Sequence, residues 1–411
     1  MAAVAGLRGT GDWGTDERPK NFRELIMFRN PNGSAPIFAL TSKIAEEAVN
    51  DPEFAWWDEP NDLIRLQVNG GLNSTATALV VNSPDPDATD PGLLYGLATH
   101  LKPGDLLLVE PVLGAEVAAS WQAEIVQVTA VASATALTIS RGAAGSTAAA
   151  IANAGFLTKI GSAYAEGTAS PNAVSRNPIK YSNLCQIFKT SYEVTGTADE
   201  TYARTGNVRA NDKKRKIFDH ARDIELSILL GQKFETTGAN GKPLRFMGGL
   251  RDFIPPSNTT AFGANVTLDQ YLAAVAPCFN FDTPAGDERI LFCGNGYANT
   301  LNLLANAGGN IQFGETIKAY GMELREFILP QGRLLIRRHP LMSRHPFYTY
   351  SAFGVDFASL KYRYLRDTRS EDEIQANDSD THKGQWLSEI SIEVQRGGLT
   401  QFYHGNFASV A

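Results

Sequence analysis

Between Ala123 and Ser133 the chain reads AEIVQVTAVAS, and between Ala136 and Gly142 it reads ALTISRG. Both stretches alternate apolar with small or polar residues, the period of a half-buried strand. LKPGDLLLVE, from Leu101 to Glu110, adds a Pro-Gly turn and another short strand. Strands this short at this spacing predict a small β-barrel or sandwich of roughly 90 residues. A further strand begins in NLCQIFKTSYEVTGTADE, with Ile187, Tyr192 and Val194 as its bulky members. The period then becomes helical. Ile217, Ala221, Ile224 and Ile228 follow an i, i+4, i+7, i+11 spacing, one apolar face over three turns. Asn211 is placed to cap this helix and Gly231 to stop it.

A mixed region follows. VTLDQYLAAVAPCF reads as a helix, RILFC as a buried strand and GYANTLNLLANA as a second helix. MELREFIL and GRLLIRR read as a strand pair turning at Pro330, Gln331 and Gly332, so Val266 to His345 is expected to be an α+β unit. The tail, DFASLKYRYLRDT to EISIEVQRGGLTQFYHGNF, predicts long strands around an acidic, polar loop from Ser370 to Asp380. Within it Leu387 to Gln395 alternates cleanly. Residues 1 to about 45 have little periodicity and many Gly, Asn and Pro, which reads as an extended arm. FRELIMF (Phe22 to Phe28) is its short apolar anchor. No internal repeat is apparent.

Composition narrows the class. With 411 residues, 43% apolar and 20% charged, the chain is a folded protein long enough for two or three cores. A formal net charge of −7 argues against a polyanion binder as a whole. The start, MAAVAGLRGTGDWG, has neither the cationic n-region nor the apolar h-region of a secretory signal. No apolar run approaches the ~18 residues of a membrane span, so no membrane partner is expected. Cys185, Cys278 and Cys293 fit neither a disulfide framework nor a zinc pattern, which suggests a reducing cytoplasm. Charge is unevenly spread. From Glu46 to Glu110 there are twelve Asp or Glu against Arg65 and Lys102, while Pro111 to Thr158 keeps only Glu116, Glu124 and Arg141.

Candidate chemistry is sparse. Gly9 to Gly14 matches G-x-G-x-x-G but lacks the strand before and the helix after it that a dinucleotide site needs. His339 and His345, in HPLMSRH, have prolines but no carboxylate or cysteine beside them, and read as turn histidines. Hydrolase, zinc-protease and P-loop motifs are missing. No catalytic residue, metal site or cofactor is expected, and the chain is not expected to be an enzyme. Lys213, Lys214, Arg215 and Lys216 form a run that could be a nucleic-acid patch, but it turns apolar and acidic within a few residues. A helix surface facing solvent or another protein fits better. Cations at a helix start oppose the macrodipole, which suggests partners elsewhere.

Several passages, in order, resemble the major capsid (coat) proteins of tailed double-stranded-DNA bacteriophages, which have the Hong Kong 97-like shell fold. They are LTISRGAAGSTAAAIANAGFLTKIGSAYAEGTASPNA, NLCQIFKTSYEVTGTA, the helix NDKKRKIFDHARDIELSILLG with RFMGGLRDFI after it, and WLSEISIEVQRGGLTQFYHGNF. The nearest likeness is to the family with a β-domain inserted in its extended loop. The resemblance implies an α+β fold with an N-terminal arm (1–50) and an extended loop (51–205) carrying a β-barrel-like insertion (about 66–165). It further implies a peripheral domain (206–265 and 346–411) built on a spine helix at 211–231, and an axial domain (266–345). A helical scaffolding segment, which the phage prototype has at its N-terminus, is missing from the arm.

The function so implied is a structural one: copies gather through pentamers and hexamers into an icosahedral shell around packaged DNA. Partners would be the chain itself, with separate scaffolding, portal and decoration proteins, and DNA touched only non-specifically. Its place would be the virion capsid, assembled in the host bacterial cytoplasm. Charge distribution suggests which residues meet between copies: Lys213, Lys214, Arg215, Lys216, Arg337 and Arg338 against Glu46, Glu47, Glu53, Asp58 and Glu59. Two other readings compete. One is a non-viral nanocompartment shell of the same fold. The other is a carbohydrate-binding protein or enzyme with an appended β-barrel, which would be a small oligomer with a ligandable pocket.

Overall fold

The computed structural model describes residues 35–37, 44–59, 65–82, 95–111, 123–175, 177–203, 206–307, 313–319 and 322–410. The Gly9–Gly14 motif, the Phe22–Phe28 anchor and most of the expected arm lie outside the described residues.

Two short strands, β1 (Ala45–Ala48) and β2 (Glu53–Asp58), lead into a closed barrel. Its strands are β3 (Arg65–Val68), β4 (Ala78–Asn82), β5 (Asp105–Val109), β6 (Ile125–Val131), β7 (Ala136–Ala143) and β8 (Phe156–Ser162), joined in the order β3-β4-β7-β6-β5-β8. The alternation read in the sequence is the physical cause. Leu79 and Val81, Val126 and Val128, and Leu137 and Ile139 point inward and are buried. Closure, rather than the sandwich alternative, leaves no unpaired edge around the barrel. Two of the few charges in that stretch meet: Arg141 donates to Glu124 at 2.6 and 2.7 Å, and also to the carbonyls of Asn73 and Ala76. This buried pair fastens the loop after β7 to the loop after β3.

The chain returns along β9 (Ile179–Leu184), antiparallel to β2 from Glu53↔Leu184 to Asp58↔Ile179. The barrel is therefore strung between the two strands of one ribbon. Strand β10 (Gln186–Thr195) and a single turn, α1 (Gly196–Glu200), precede the long helix α2 (Val208–Leu230). Helix α2 begins earlier than the sequence suggested. The side chain of Asn207, not Asn211, accepts the capping bond, from the Ala210 N–H at 2.8 Å. No Gly or Pro interrupts the twenty-three residues, and Gly231 ends them as expected. The expected apolar stripe is deepest at its C-terminal half, where Ile224, Ile228 and Leu229 are buried, and it also carries His220 and Glu225.

After α2 come the hairpin β11 (Phe234–Thr237) and β12 (Pro243–Phe246), the turn α3 (Leu250–Phe253) and β13 (Thr259–Ala261). Helix α4 (Leu268–Val275) opens on a capping box, with Thr267 and Gln270 bonding each other's backbone N–H. Strand β14 (Glu288–Cys293) and helix α5 (Asn295–Ala307) follow, then β15 (Phe313–Ala319), β16 (Met322–Leu329), β17 (Gly332–Arg338), the turn α6 (Pro340–Arg344) and β18 (Ala352–Val355). The chain ends with β19 (Leu360–Glu371), β20 (Thr381–Val394) and β21 (Phe402–Gly405).

Two sheets share the core. A four-stranded sheet, β1-β19-β20-β10, packs one face on α2 through Phe188, Ile390 and Ile392. A seven-stranded sheet, β13-β21-β18-β14-β17-β16-β15, is covered on both faces. Ile290 and Phe292 of β14 join the α2 core, while Leu291 and Cys293 join a second core with Tyr271 of α4 and Leu301 of α5. That explains RILFC: a strand buried on two sides reads as an unbroken apolar run. This sheet draws β13, β18 and β21 from outside Val266–His345, so it continues across the expected boundary.

Candidate functional site

No group of three or more His, Cys, Asp or Glu stands together as a metal set among the described residues. All three cysteines are buried and free, and burial pushes each thiol up to about 12, far from a nucleophile. His345 is a turn histidine as expected: its Nδ1 accepts the Phe347 and Tyr348 N–H groups at 3.1 and 3.3 Å. His339 caps the turn α6, accepting the Met342 N–H, but does more than that reading expected. It is fully buried, with Nε2 2.6 Å from Oε1 of the equally buried Glu225. The same oxygen accepts the Ile37 N–H at 3.0 Å. A carboxylate remote in sequence thus joins α2, the end of β17 and the arm residue Ile37.

The cation run does not form one patch. Successive helical residues are turned by about 100°, so four in a row face every direction. Lys213 points at the sheet: its ammonium donates to both oxygens of Asp372, at 2.9 and 2.7 Å, and lies 5.7 Å over the Trp386 ring. Trp386 Nε1 donates to the Lys213 carbonyl at 3.2 Å. Hydrogen bonds from Lys213 first, then from the Tyr192 hydroxyl, hold the Asp372 carboxyl down at about 2. Arg215 and Lys216 pair along the helix with Asp212 and Asp219, at 3.9 and 3.8 Å, while Lys214 and Arg215 stay exposed.

The acidic candidates are also distributed. Glu46 and Glu47 lie exposed on β1; Glu47 pairs with Arg363 and reaches Lys361 at 3.7 Å, and Arg363 foremost lowers its carboxyl. Glu53 is 3.9 Å from Lys233. Asp58 accepts the Gly397 N–H at 2.8 Å, and desolvation raises its carboxyl. Glu59 is exposed. Arg337 and Arg338 stand on β17, in the other sheet, half-buried and exposed respectively. Within the chain Lys213, Glu47, Glu53 and Asp58 thus have partners of their own.

Sequence reading passed over two features. The first is a charge ladder on the sheet face turned away from α2. Arg363 Nε is 2.6 Å from Glu393, and Arg366 Nε is 2.7 Å from Glu389, both carboxylates being buried. The clean alternation of β20 was legible, but its polar face is ion-paired rather than solvated. Matching Lys361, Arg363 and Arg366 on β19 with Glu389 and Glu393 was the available signal. The second is the hairpin β11–β12, whose FETT and PLRF alternate like a strand pair.

A sequence profile of the family described as "SU10 major capsid protein" matches residues 9–397. The major capsid protein of Pseudomonas phage PaMx41 is 28% identical over 373 residues, covering 89% of this chain and 83% of that protein. Solved structures similar to this chain include the capsid of a native GTA particle, with TM-score 0.47, 9% identity and 98% of each chain covered. The Microbacterium phage Oxtober96 structure matches with TM-score 0.42 and 9% identity, over 94% of this chain and 96% of that one. A Synechococcus elongatus encapsulin matches 59% of this chain and 80% of its own, with TM-score 0.41 and 9% identity.

Proposed function

The chain belongs to the SU10 major capsid protein family, and from that premise we propose how its parts build a shell. It is a phage major capsid protein, a structural component of the virion, with the α+β, Hong Kong 97-like class of fold that the resemblance implied. In our reading copies assemble through pentamers and hexamers into an icosahedral shell around double-stranded DNA. The ribbon β2–β9 is the extended loop and the barrel is its insertion. Helix α2 with the four-stranded sheet is the peripheral domain, and the α4–α5 side of the seven-stranded sheet is the axial domain.

The observation that carries this reading is the suspension of the barrel. Its core shares no residue with the other two, and it hangs on a two-stranded ribbon. Such a ribbon is marginal alone; this one rests on its own chain's body, with Trp56 against Phe253 at 5.7 Å and Asp58 accepting the Gly397 N–H at 2.8 Å, and the barrel beyond it is the part that would meet a neighbour. The chain acts as a building block and not as an enzyme. Scaffolding, portal and decoration come from separate proteins, DNA is touched non-specifically, and assembly takes place in the host bacterial cytoplasm. Of the charged candidates, Lys214, Arg215, Arg338, Glu46, Glu47, Glu53 and Glu59 keep the exposure that a contact between copies requires.

Light scattering and negative-stain microscopy of the purified protein, alone and co-expressed with candidate scaffolds, test this. Closed particles of one size, or discrete pentamers and hexamers, are expected. A monomer or dimer under every condition would overturn the assembly reading. In the same assay Lys214→Gln with Arg215→Gln should lower particle yield; wild-type yield would remove these two from the contact.

A further inference from the structure

The hairpin β11–β12 has two unlike faces. Its register sets Phe234 opposite Phe246 and Thr236 opposite Leu244 on one side, and Glu235 opposite Arg245 and Thr237 opposite Pro243 on the other. The polar side is satisfied internally, with Arg245 Nε 3.2 Å from Glu235. The apolar side is not covered: Phe234, Leu244 and Phe246 are 60%, 46% and 39% exposed. The two phenylalanine rings, opposite each other in the register, lie 6.4 Å apart and tilted by 35°.

An isolated two-stranded hairpin is marginal in water, but this one is fixed at its root. Gly249 N–H donates to Gly231 O at 2.9 Å, Gly248 N–H to Asn183 Oδ1 at 2.8 Å, and Met247 N–H to Gln186 Oε1 at 3.0 Å. A Cβ on Gly231 would stand 2.5 Å from Ser227 O and 2.6 Å from Met247 O, so only glycine permits this close return of the chain. The result is a rooted arm offering on the order of 300 Å² of apolar surface.

At the same end of α2 lies an apolar cleft of about 370 Å³, lined by Leu226, Leu229, Met342, Tyr348 and Phe353 among others. Leu226 is exposed within it, and the exposed Phe347 ring packs against Tyr348 at 5.0 Å. No residue of the hairpin strands lines the cleft of its own chain. One chain thus carries an apolar arm and an apolar recess, neither covered by the other or, among the described residues, by another segment in cis.

We propose that the Phe234–Leu244–Phe246 face of one copy seats in the Leu226–Met342–Tyr348 cleft of a neighbouring copy. This inference rests on the shell function. Its size points to a second copy rather than to a separate soluble partner. A stable pair buries about 800 Å² on each side, well above what this patch supplies. The contact is too small to hold two free chains together, yet it suffices when multiplied over many copies. Because donor and acceptor surfaces differ, it is a head-to-tail contact of the kind that closes into rings.

Leu244→Cys combined with Leu226→Cys tests the pairing directly, since the native cysteines are buried. After mild oxidation, assembled particles should give a ladder of covalent multimers on non-reducing gels, at least tenfold above either single variant, and unassembled chains should give none. Phe234→Ser with Leu244→Ser should cut particle yield at least tenfold while leaving the melting temperature of the subunit nearly unchanged. Particles from that variant at wild-type yield, intact particles with no ladder, or a ladder from unassembled chains would each overturn the contact. Absence of particles from the wild-type chain would instead sink the shell function, a distinguishable failure.

Discussion

Glu225 and His339 are 114 residues apart in sequence and 2.6 Å apart in the fold. The histidine was legible only as a turn residue, and in part it is one, since its Nδ1 accepts the Met342 N–H that opens α6. What the sequence did carry was a glutamate beside Ile224 on an apolar helix face, a charge that cannot be buried alone. Glu225→Leu should cost about 3 kcal/mol, because it leaves the His339 and Ile37 donors buried without this acceptor. Glu225→Gln keeps an acceptor oxygen and should cost clearly less. Urea unfolding of the soluble subunit compares the two; equal losses would mean that these hydrogen bonds contribute nothing. A second histidine contributes to acid sensitivity. His404 is fully buried beside Tyr297, whose hydroxyl is 2.8 Å from its Nδ1, and desolvation lowers it from 6.5 to about 3. Between those values the unfolded chain binds a proton that the folded chain does not. Stability must therefore fall as pH drops from 6.5 toward 3, by up to about 1.4 kcal/mol per pH unit. His404→Gln should flatten that part of the melting-temperature profile, and an unaltered slope would assign the acid sensitivity to other groups.

At the scale of elements, what alternates or repeats locally was readable, and what depends on a partner strand was not. Barrel strands β5, β6 and β7, the helix ending at Gly231, and the turn between β16 and β17 all follow from side-chain period and from Gly or Pro placement. The start of α2 did not, because two asparagines four residues apart both precede an apolar helical run. The structure selects Asn207 since Val208, Arg209 and Ala210 continue the helix backward, supplying the Ala210 N–H that Asn207 accepts. Asn207→Ala should accordingly cost about 1 kcal/mol, and Asn211→Ala, inside the first turns, distinctly less. Chemical denaturation of both variants decides, and the reverse order would restore the later start. Strand β20 marks the other limit. Its clean alternation separates two faces but does not say what covers the polar one, and β19 lays Lys361, Arg363 and Arg366 over Glu389 and Glu393. Pairing between strands, which no single strand announces, makes that face a buried ladder. Lys213 is a further case, since within the chain it meets Asp372 on the β19–β20 turn, a partner that its own helix does not announce.

At the scale of the molecule, three apolar clusters are distinct among the described residues: one between α2 and the two sheets, one between the seven-stranded sheet and helices α4 and α5, and one inside the barrel. The first two lie on opposite faces of the same sheet, so strands such as β14 must order both at once. Among the described residues the barrel has no such shared element: its strand-level attachment is the ribbon β2–β9, and its buried pair Arg141–Glu124 closes within it. The expected cost of opening the barrel should therefore be set by its own core. A fragment spanning 65–162 should fold without the rest of the chain and unfold cooperatively. In the full chain, Leu79→Ala, removing a side chain that is fully buried in that core, should cost about 3 kcal/mol. The loss should fall on the barrel alone: scanning calorimetry of the soluble subunit should show one transition moving down while the transition of the two-sheet body holds. A single transition that shifts as a whole would mean that the ribbon couples the barrel to the body. The insertion would then be a structural extension of the sheets rather than a unit hung upon them.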